Sequence, residues 1–418
     1  MSASAIAGQE RTEARRFGPN HRWTVLGIGV AAQASFSAAI SGLPVTGTTL
    51  RADYLLSTFT LGVVIGAIYL GIAVSEIAWG IWTDRFGERK VLLVGLLTTG
   101  AVLTLMAFGL VPGAGSAPPT WLLAVAMFLV GALGGSINGS SGRAVMAWFP
   151  AGQRGLAMSI RQTAMPAGGA IGIAVLPGLA QQQGFRLVYL LLAALLFVTA
   201  AATFVWLHEP DVKAAGGAAG TAEARSPLVR WDIWRLALAS ALLTVPQFGI
   251  LTFSAVFLHD AKGAGVLTTV ITLMVVQIGG GAARIWSGRY TDKHGNRRQA
   301  IKAFGAAAAV LLVLSAFLVD APTVLVAATL AIGGVFANAW HGVAYTEIAS
   351  MAGAAKAGTA LGLENTTVFA MGFLTPLLIP LVLGWSSSWL LVWLLVGIAS
   401  AVAVPLAPAA LRKVTSTA

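Results

Sequence analysis

The sequence predicts an all-α membrane protein with 12 transmembrane helices in two pseudo-symmetric six-helix halves. Three observations support this fold class. Hydrophobic residues make up 57% of the 418 residues and charged residues only 10%, which is too apolar for a soluble protein of this length. Twelve apolar stretches are long enough to cross a bilayer. One charged motif occurs twice, at equivalent places in the two sets of six stretches.

The twelve stretches define the predicted domain organisation. The first set lies at about 23–45, 56–79, 91–111, 121–147, 155–179 and 185–207, and the second at about 233–258, 264–287, 300–319, 322–349, 357–380 and 387–408. The predicted parts are a cytoplasmic N-terminal tail (1–22), a first half (23–207), a cytoplasmic linker (208–230) and a second half (231–418). The linker is rich in Ala and Gly, which is typical of a flexible connection.

The basic residues predict the orientation of the chain. With the N-terminus inside, the outer loops contain only Arg51, Arg186 and Lys262 of the 26 Lys and Arg residues, and Arg161 and Arg284 lie within spans. The remaining 21 lie at the inner face. This asymmetry predicts a multi-pass protein of the inner cell membrane with both termini in the cytoplasm. Basic loops at an anionic leaflet also explain the formal charge of +11 without a nucleic-acid partner.

The repeated motif follows the second span of each half. Residues 80–90 read GIWTDRFGERK and residues 288–298 read GRYTDKHGNRR, so both copies fit the pattern G-x-x-x-D-[RK]-x-G-x-[RK]-[RK]. The first Gly allows another helix to approach closely, and the later Gly suits a tight turn. The positions that we expect to act in gating are Gly80, Asp84, Arg85, Gly87 and Arg89 in the first copy and Gly288, Asp292, Lys293, Gly295 and Arg297 in the second.

This motif pair resembles the loop signature of the major facilitator superfamily between helices two and three, which recurs between helices eight and nine. The halves match further, because GLAMSIRQT at 155–163 aligns with GTALGLENT at 358–366. The resemblance covers essentially the whole chain. It implies a monomeric secondary transporter that holds its substrate between two six-helix halves and works by alternating access. It also implies that helix two packs on helix eleven and helix five on helix eight, along the seam between the halves.

Four ionisable residues stand out inside spans, where such residues are costly and are functional candidates by default. Glu76 and Arg284 each precede the motif Asp of their half by eight residues, and Arg161 and Glu364 each follow the Gly that opens their helix by six. The family arrangement then puts the two acids at one seam and the two bases at the other. Neighbouring acids suit a proton carrier, and we expect Glu76 and Glu364 to couple transport to protons. Neighbouring bases suit an anion, although cross-pairing into structural ion pairs is an open alternative.

The other spans expected to line the cavity offer uncharged or weakly basic side chains. The substrate-binding candidates among them are Gln33, Asn138, Gln247, Asn338, Trp340 and His341. Each is more often an interhelical hydrogen-bonding residue than a ligand contact, and His341 stands out because it can titrate near neutral pH. Arg143 and Glu347, near the inner ends of spans four and ten, are expected to join the motif charges in a structural network.

Arg284 suggests the substrate class. An arginine at this place in helix eight is similar to that of the monocarboxylate and oxalate/formate branches of the superfamily, where it binds the substrate carboxylate. The sequence departs from the monocarboxylate branch at Gly280, where that branch has an aspartate. We therefore predict a proton-coupled transporter of small organic anions, with Arg284 as the principal substrate contact. Arg161 is the expected second contact for a dianion.

Other functional classes fit the sequence less well. A drug or metabolite exporter of the same fold is the main alternative. However, span one has no carboxylate, and residues 165–169 read MPAGG rather than the Gly-Pro-x-x-Gly-Gly of drug antiporters. An enzyme, a metal site or a cofactor is not expected, because the chain has no Cys, only five His and no phosphate-binding loop. A sensor of this fold would normally have an extra signalling domain, and neither the predicted N-terminal tail nor the predicted linker is large enough for one. The expected partners are the substrate, protons and membrane lipids.

Overall fold

A computed structural model describes residues 18, 20–113, 116–209 and 225–409. Within these ranges, 12 helices are long and apolar enough to cross a membrane, which confirms the predicted fold class. In chain order they are α1 (His21–Val45), α2 (Phe59–Phe86), α3 (Glu88–Gly109), α4 (Thr120–Trp148), α5 (Ala151–Gln183), α6 (Phe185–Trp206), α7 (Trp231–Ala261), α8 (Leu267–His294), α9 (Arg297–Phe317), α10 (Thr323–Ala352), α11 (Ala354–Ser386) and α12 (Trp389–Leu406). Residues 1–17 of the predicted tail and 210–224 of the predicted linker lie outside the described ranges, so both assignments stay predictions.

Helices α2 and α8 end later than the sequence analysis predicted. Their apolar stretches end near 79 and 287, but the helices continue to Phe86 and His294 and include the motif aspartates. Helical hydrogen bonding does not require apolar side chains, so it continues through the charged motif until a Gly stops it. Gly87 has φ 90° and Gly295 has φ 65°, values that other residues rarely adopt. Each motif copy therefore comprises about two final turns of one helix, a break of one or two residues and the start of the next helix, rather than a loop.

Several helices change geometry at the depth of the buried charges. α4 is interrupted at Gly135, before a new helical segment at Ser136, and α10 is interrupted at Trp340. In α8, the π-helical turn Val275–Gly279 directly precedes the segment that carries Arg284. A π-turn inserts extra backbone into a helix and rotates the side chains that follow.

The seam between the halves is formed by the predicted helix pairs. α2 packs on α11, and the Gly280–His294 part of α8 packs on α5. A Cβ atom on Gly80 would lie 2.4 Å from the backbone oxygen of Gly358, and one on Gly288 would lie 2.3 Å from that of Gly155. These contacts are at the end of the bundle that carries the two motifs, which we call the motif face. The seam is therefore tightly closed at the motif face.

Gly288→Ala should destabilise the protein because the added methyl group collides with backbone across the seam. Overpacking of a close contact costs about 1–3 kcal/mol. Gly281 is the matched control, because it lies in the same helix and a Cβ there meets nothing within 4 Å. Thermal unfolding in detergent should show a clearly lower Tm for Gly288→Ala and an unchanged or higher Tm for Gly281→Ala. Equal Tm values for the two variants would contradict close packing at Gly288.

Candidate functional site

All four intramembrane ionisable residues are buried inside the bundle. The exposed fraction of Arg161 is 1% and that of Arg284 is 3%, while Glu76 and Glu364 have none. Arg161 therefore does not extend to the water at the motif face. Burial of ionisable groups in a membrane bundle needs polar partners, and these partners define the site.

Arg161 on α5 forms hydrogen bonds that connect α5 to α1 and α4 of the first half. Its Nε donates to Ser141 Oγ at 3.0 Å, and its Nη1 donates to Gln162 Oε1 at 3.0 Å. Its Nη2 donates to Gln33 Oε1 at 2.7 Å and to the backbone oxygen of Asn138. All four acceptors are neutral oxygens, so most of the donor capacity of this guanidinium is used within the protein.

A hydrogen-bond chain runs from Arg161 to Glu76. The Nε2 of Gln33 donates to Asn138 Oδ1 at 2.8 Å, and the Nδ2 of Asn138 donates to Glu76 Oε1. A guanidinium can only donate, so Gln33 must present its oxygen to Arg161 and its NH2 to Asn138. Asn138 is oriented in the same way by Gln33. Glu76 is therefore the terminal acceptor of a chain whose direction Arg161 sets.

Glu76 also receives a hydrogen bond across the seam. The Nδ2 of Asn365, on α11, donates to Glu76 Oε2 at 3.2 Å. The hydroxyl of Tyr345, on α10, donates to Asn365 Oδ1 at 2.6 Å and thereby orients this amide. Both carboxyl oxygens of Glu76 thus accept from amide NH2 groups, one from each half of the molecule.

Arg284 on α8 contacts only neutral oxygens. Its Nε donates to the backbone oxygen of Asn338 at 2.9 Å, and its Nη2 donates to Asn338 Oδ1 at 2.6 Å. Its Nη1 crosses the seam and donates to the backbone oxygen of Gln162 at 3.0 Å. In the described part of the chain, no carboxylate forms an ion pair with this buried guanidinium. Arg284 and Arg161 meet around Gln162, as expected for two bases at one seam.

Glu364 and Glu76 have separate hydrogen-bond partners, although the sequence analysis expected the two acids to be neighbours at one seam. Its Oε1 accepts from the Ser240 hydroxyl on α7, within the second half, at 2.8 Å. Its Oε2 is buried and has no hydrogen-bond partner in the described chain. Successive helical residues are rotated by about 100°, so the neighbouring Asn365 faces the seam and Glu364 faces α7.

The four charged residues follow one pattern in both halves, with the charges exchanged. The second helix of each half bonds to the fourth, and the fifth bonds to the first. The pairs are Glu76 with Asn138, Arg284 with Asn338, Arg161 with Gln33, and Glu364 with Ser240. The first half links its acid and base through Asn138, whereas the acid and base of the second half have separate partners.

Three further candidates have unused polar atoms. Trp340 is fully buried and His341 stacks on it, with ring centroids 3.8 Å apart. Trp340 Nε1, His341 Nδ1 and Gln247 Oε1 have no hydrogen-bond partner among the described residues. These atoms could bind a ligand, but among the described residues no hydrogen bond joins Gln247 to the charged network.

The motif aspartates cap helices across the seam. Asp84 accepts from the backbone N–H groups of Gly358 and Thr359 at 2.8 and 2.7 Å, and from the Thr359 hydroxyl at 2.6 Å. Asp292 accepts from Gly155 and Leu156 at 3.0 and 2.8 Å. Free N–H groups at a helix start favour an acidic partner. Asp84 therefore lies at the start of α11 and Asp292 at the start of α5.

Ion pairs surround both aspartates. Arg143 contacts Asp84 and Glu88, Arg297 contacts Asp292 at 3.0 Å, and Arg298 contacts Glu347 at 2.6 Å. Arg143 and Glu347 thus join the charge network of the motif face as predicted. Other motif residues act locally. Arg89 donates to the backbone oxygen of Phe204 in its own half at 2.6 Å, whereas Arg85 and Lys293 are exposed.

Sequence reasoning missed five residues of this site: Ser141, Gln162, Ser240, Tyr345 and Asn365. Gln162 and Asn365 directly follow Arg161 and Glu364, so adjacency to a buried charge was a usable signal. Ser141, Ser240 and Tyr345 had no such signal, because serine and tyrosine are unremarkable within a membrane span.

Comparisons with known proteins agree with this architecture. The sequence profile described as Major Facilitator Superfamily matches residues 25–376. An uncharacterised MFS-type transporter of Mycobacterium tuberculosis is 32% identical over 365 residues, covering 86% of this chain and 79% of its own. The "Probable sulfoacetate transporter SauU" of Cupriavidus necator is 26% identical over 375 residues, covering 84% of this chain and 85% of its own. The "Probable galactarate/D-glucarate transporter GudP" of Escherichia coli is 25% identical over 324 residues, covering 70% and 69%.

A solved structure supports the fold. The crystal structure of the transporter FucP in the outward conformation superposes with a TM-score of 0.71 at 13% identity, covering 92% of this chain and 98% of FucP. At this identity the similarity concerns the fold alone.

Proposed function

The chain belongs to the major facilitator superfamily, and we propose that it is a secondary transporter of small organic anions, coupled to protons. The substrate carboxylate binds between the halves, and the halves rock about the seam to expose it to either side of the membrane. The motif face is the cytoplasmic side, as the distribution of basic residues predicts. The monocarboxylate and oxalate/formate branches remain the closest functional analogy that the sequence suggests.

One observation carries this proposal, the unpaired charge of Arg284. A buried guanidinium that contacts only neutral oxygens lacks the counter-charge that usually accompanies burial. Its three nitrogens make three hydrogen bonds, so two of its five N–H groups are not accounted for by the protein. A carboxylate fits this planar fork and supplies the missing charge. Arg161 offers a second contact to a substrate with two acidic groups through its one remaining N–H.

The position of Arg284 connects substrate binding to movement of the halves. Its Nη1 bond to the Gln162 carbonyl joins α8 of the second half to α5 of the first. A carboxylate that takes over this N–H group weakens one of the bonds across the seam. Occupancy of the site thereby changes the relative free energies of the two facing states, which is the requirement for ligand-driven switching.

Relatives and candidate proton carriers support the same class. SauU is named for sulfoacetate and GudP for galactarate and D-glucarate, all of which are organic acids. Glu76 and Glu364 are the candidate proton carriers, because both are carboxyl groups buried beside the seam.

A thermal-shift screen of the purified protein tests the proposal. We expect stabilisation by organic anions and none by lipophilic cations or neutral sugars at matched concentrations. A ligand at a hundred times its Kd stabilises the folded state by about 2.7 kcal/mol, which is readily measured. Stabilisation by lipophilic cations alone would instead favour the exporter of the same fold. The response should also depend on the anionic group, so methyl esters of the active acids serve as matched controls.

A further inference from the structure

The two buried carboxyl groups have different surroundings. Both oxygens of Glu76 accept from amide NH2 groups, and the orientation of each amide is fixed by another donor, Arg161 through Gln33 on one side and Tyr345 on the other. A protonated Glu76 would place an O–H group against an NH2 donor. This arrangement suits a carboxylate that stays ionised through the transport cycle.

Glu364 is hydrogen-bonded to a residue that is compatible with either protonation state of its carboxyl group. The Ser240 hydroxyl donates to a carboxylate and equally accepts from a carboxylic acid. The free, buried Oε2 of Glu364 is an unsatisfied acceptor when the group is ionised. Unsatisfied buried polar atoms are uncommon, and a proton on this carboxyl group removes the charge that makes the site costly.

The helices around α11 bring no base into contact with Glu364 in the described chain. Its polar neighbours are Ser240 on α7 and, on α10, the phenol of Tyr345. Across the seam, the packed helix α2 carries Glu76, itself an acid. The other ionisable residues of the surrounding helices lie towards the helix ends or have other partners: Asp232, Arg235, His259 and Asp260 on α7, Arg143 on α4, Asp84 and Arg85 on α2, Glu347 on α10, and Lys356 at the start of α11. His341 is buried at the break in α10 and stacks on Trp340. α12 has no ionisable residue.

We infer that Glu364 takes up the coupling proton and Arg284 the substrate anion, so that one proton travels with the carboxylate bound at Arg284, while Glu76 stays ionised as the counter-charge of Arg161. The proton comes from water on one side of the membrane, forms an O–H bond with a carboxyl oxygen of Glu364, and returns to water on the other side. This inference rests on the proposed function, because it takes the substrate to be an anion.

The charge balance explains why the substrate anion and the proton would cross the membrane together. Without substrate or proton, the second half holds a lone buried cation at Arg284 and a lone buried anion at Glu364. Adding only an anion leaves Glu364 uncompensated, and adding only a proton leaves Arg284 uncompensated. When both are bound, each site is locally neutral. Closing the seam removes water, which penalises every uncompensated charge, so the doubly loaded protein closes most readily.

Infrared difference spectroscopy of the substrate-free protein tests the proton site directly. We expect a protonated carboxyl C=O band that appears on acidification in the parent, is absent from Glu364→Gln and is retained in Glu76→Gln. Glu347→Gln is the matched control, because Glu347 is ion-paired with Arg298 at the motif face. Loss of the band in Glu76→Gln, with retention in Glu364→Gln, would overturn the assignment.

Substrate binding gives the second measurement. The parent affinity for a carboxylate should fall about tenfold per pH unit above the titration of the site, as expected for one linked proton. Glu364→Gln should bind with an affinity independent of pH, and Glu76→Gln should keep the parent slope. Proton uptake in weak buffer should be about one per bound monoanion in the parent and zero in Glu364→Gln. An unchanged slope in Glu364→Gln would refute the inference.

The two measurements separate this inference from the proposed function. If no organic anion binds the parent, the proposed function fails, yet the infrared band still decides which carboxyl group holds the proton.

If Glu364→Gln does not fold, Ser240→Ala replaces it and should shift the titration of the band. Ser254→Ala is then the control, because Ser254 is a buried serine of the same helix whose hydroxyl has no hydrogen-bond partner in the described chain. Equal titration in these two serine variants would count against Glu364.

Discussion

Arg284→Lys is expected to lower the affinity for a carboxylate roughly ten- to a hundred-fold. The guanidinium of Arg284 reaches two oxygens of Asn338 and one of Gln162 through three different nitrogens while keeping two N–H groups for a ligand. A lysine ammonium is a single point charge with three donors, so it cannot keep the protein contacts and also present a two-pronged surface to the substrate. A charge-assisted hydrogen bond is worth about 1.5–3 kcal/mol, which corresponds to this loss.

The measurement is binding of a carboxylate series at fixed pH to Arg284→Lys and Arg284→Gln. Arg235→Lys is the matched control, because Arg235 on α7 also donates to backbone oxygens, those of Leu406 and Pro405. It lies at the end of its helix, away from the buried network. Unchanged affinity in both Arg284 variants would make Arg284 a residue of seam packing and favour the exporter.

The sequence was sufficient for the features that depend on local patterns. Hydropathy predicts the number of helices, the resemblance of the repeated motif to a family signature implies which helices meet at the seam, and the Gly and Asp residues of the motif indicate where close contacts and helix caps lie. These sequence signals are reliable because each depends on one residue type at one position. A Gly permits close approach of two helices, and an Asp accepts hydrogen bonds from the free N–H groups at a helix start. The contacts of Arg143 and Glu347 with the motif charges were predictable because both residues lie near the inner ends of their spans, at the same face as the motifs.

The partners of the buried charges were not predictable, because they depend on helix rotation. A helix that is apolar on every side gives no signal for the direction in which a residue faces. On α11, rotation by one residue decides whether Glu364 or Asn365 contacts Glu76, and the structure selects Asn365. The π-turn at Val275–Gly279 has the same effect on Arg284, and its sequence does not differ visibly from ordinary helix.

Asp84→Ala is expected to shift the protein strongly towards the state with the motif face open. Asp84 holds the start of α11 through Gly358 and Thr359 and is paired with Arg143. Loss of a helix cap costs about 0.5–2 kcal/mol, and with the ion pair we expect a total of about 2–3 kcal/mol, or roughly a 30- to 150-fold change in the ratio of the two states. Asp292 accepts two hydrogen bonds from backbone N–H groups, whereas Asp84 accepts two of this kind and a third from the Thr359 hydroxyl. Asp292→Ala should therefore have a smaller effect of the same sign.

Thiol labelling measures this shift without background, because the chain contains no Cys. Ser159→Cys is the reporter, since Ser159 is fully buried on α5 between Gly288 and Gly342 at the other seam. Rocking of rigid halves should expose this position to a membrane-impermeant maleimide, so Asp84→Ala should speed labelling although Asp84 lies on α2. Asp232→Ala is the control, because Asp232 pairs with Arg230 within its own half. If Asp84→Ala abolishes substrate binding but leaves the labelling rate unchanged, Asp84 does not act as a gate. If labelling accelerates only in Asp292→Ala, the two seams open independently rather than by rocking of rigid halves.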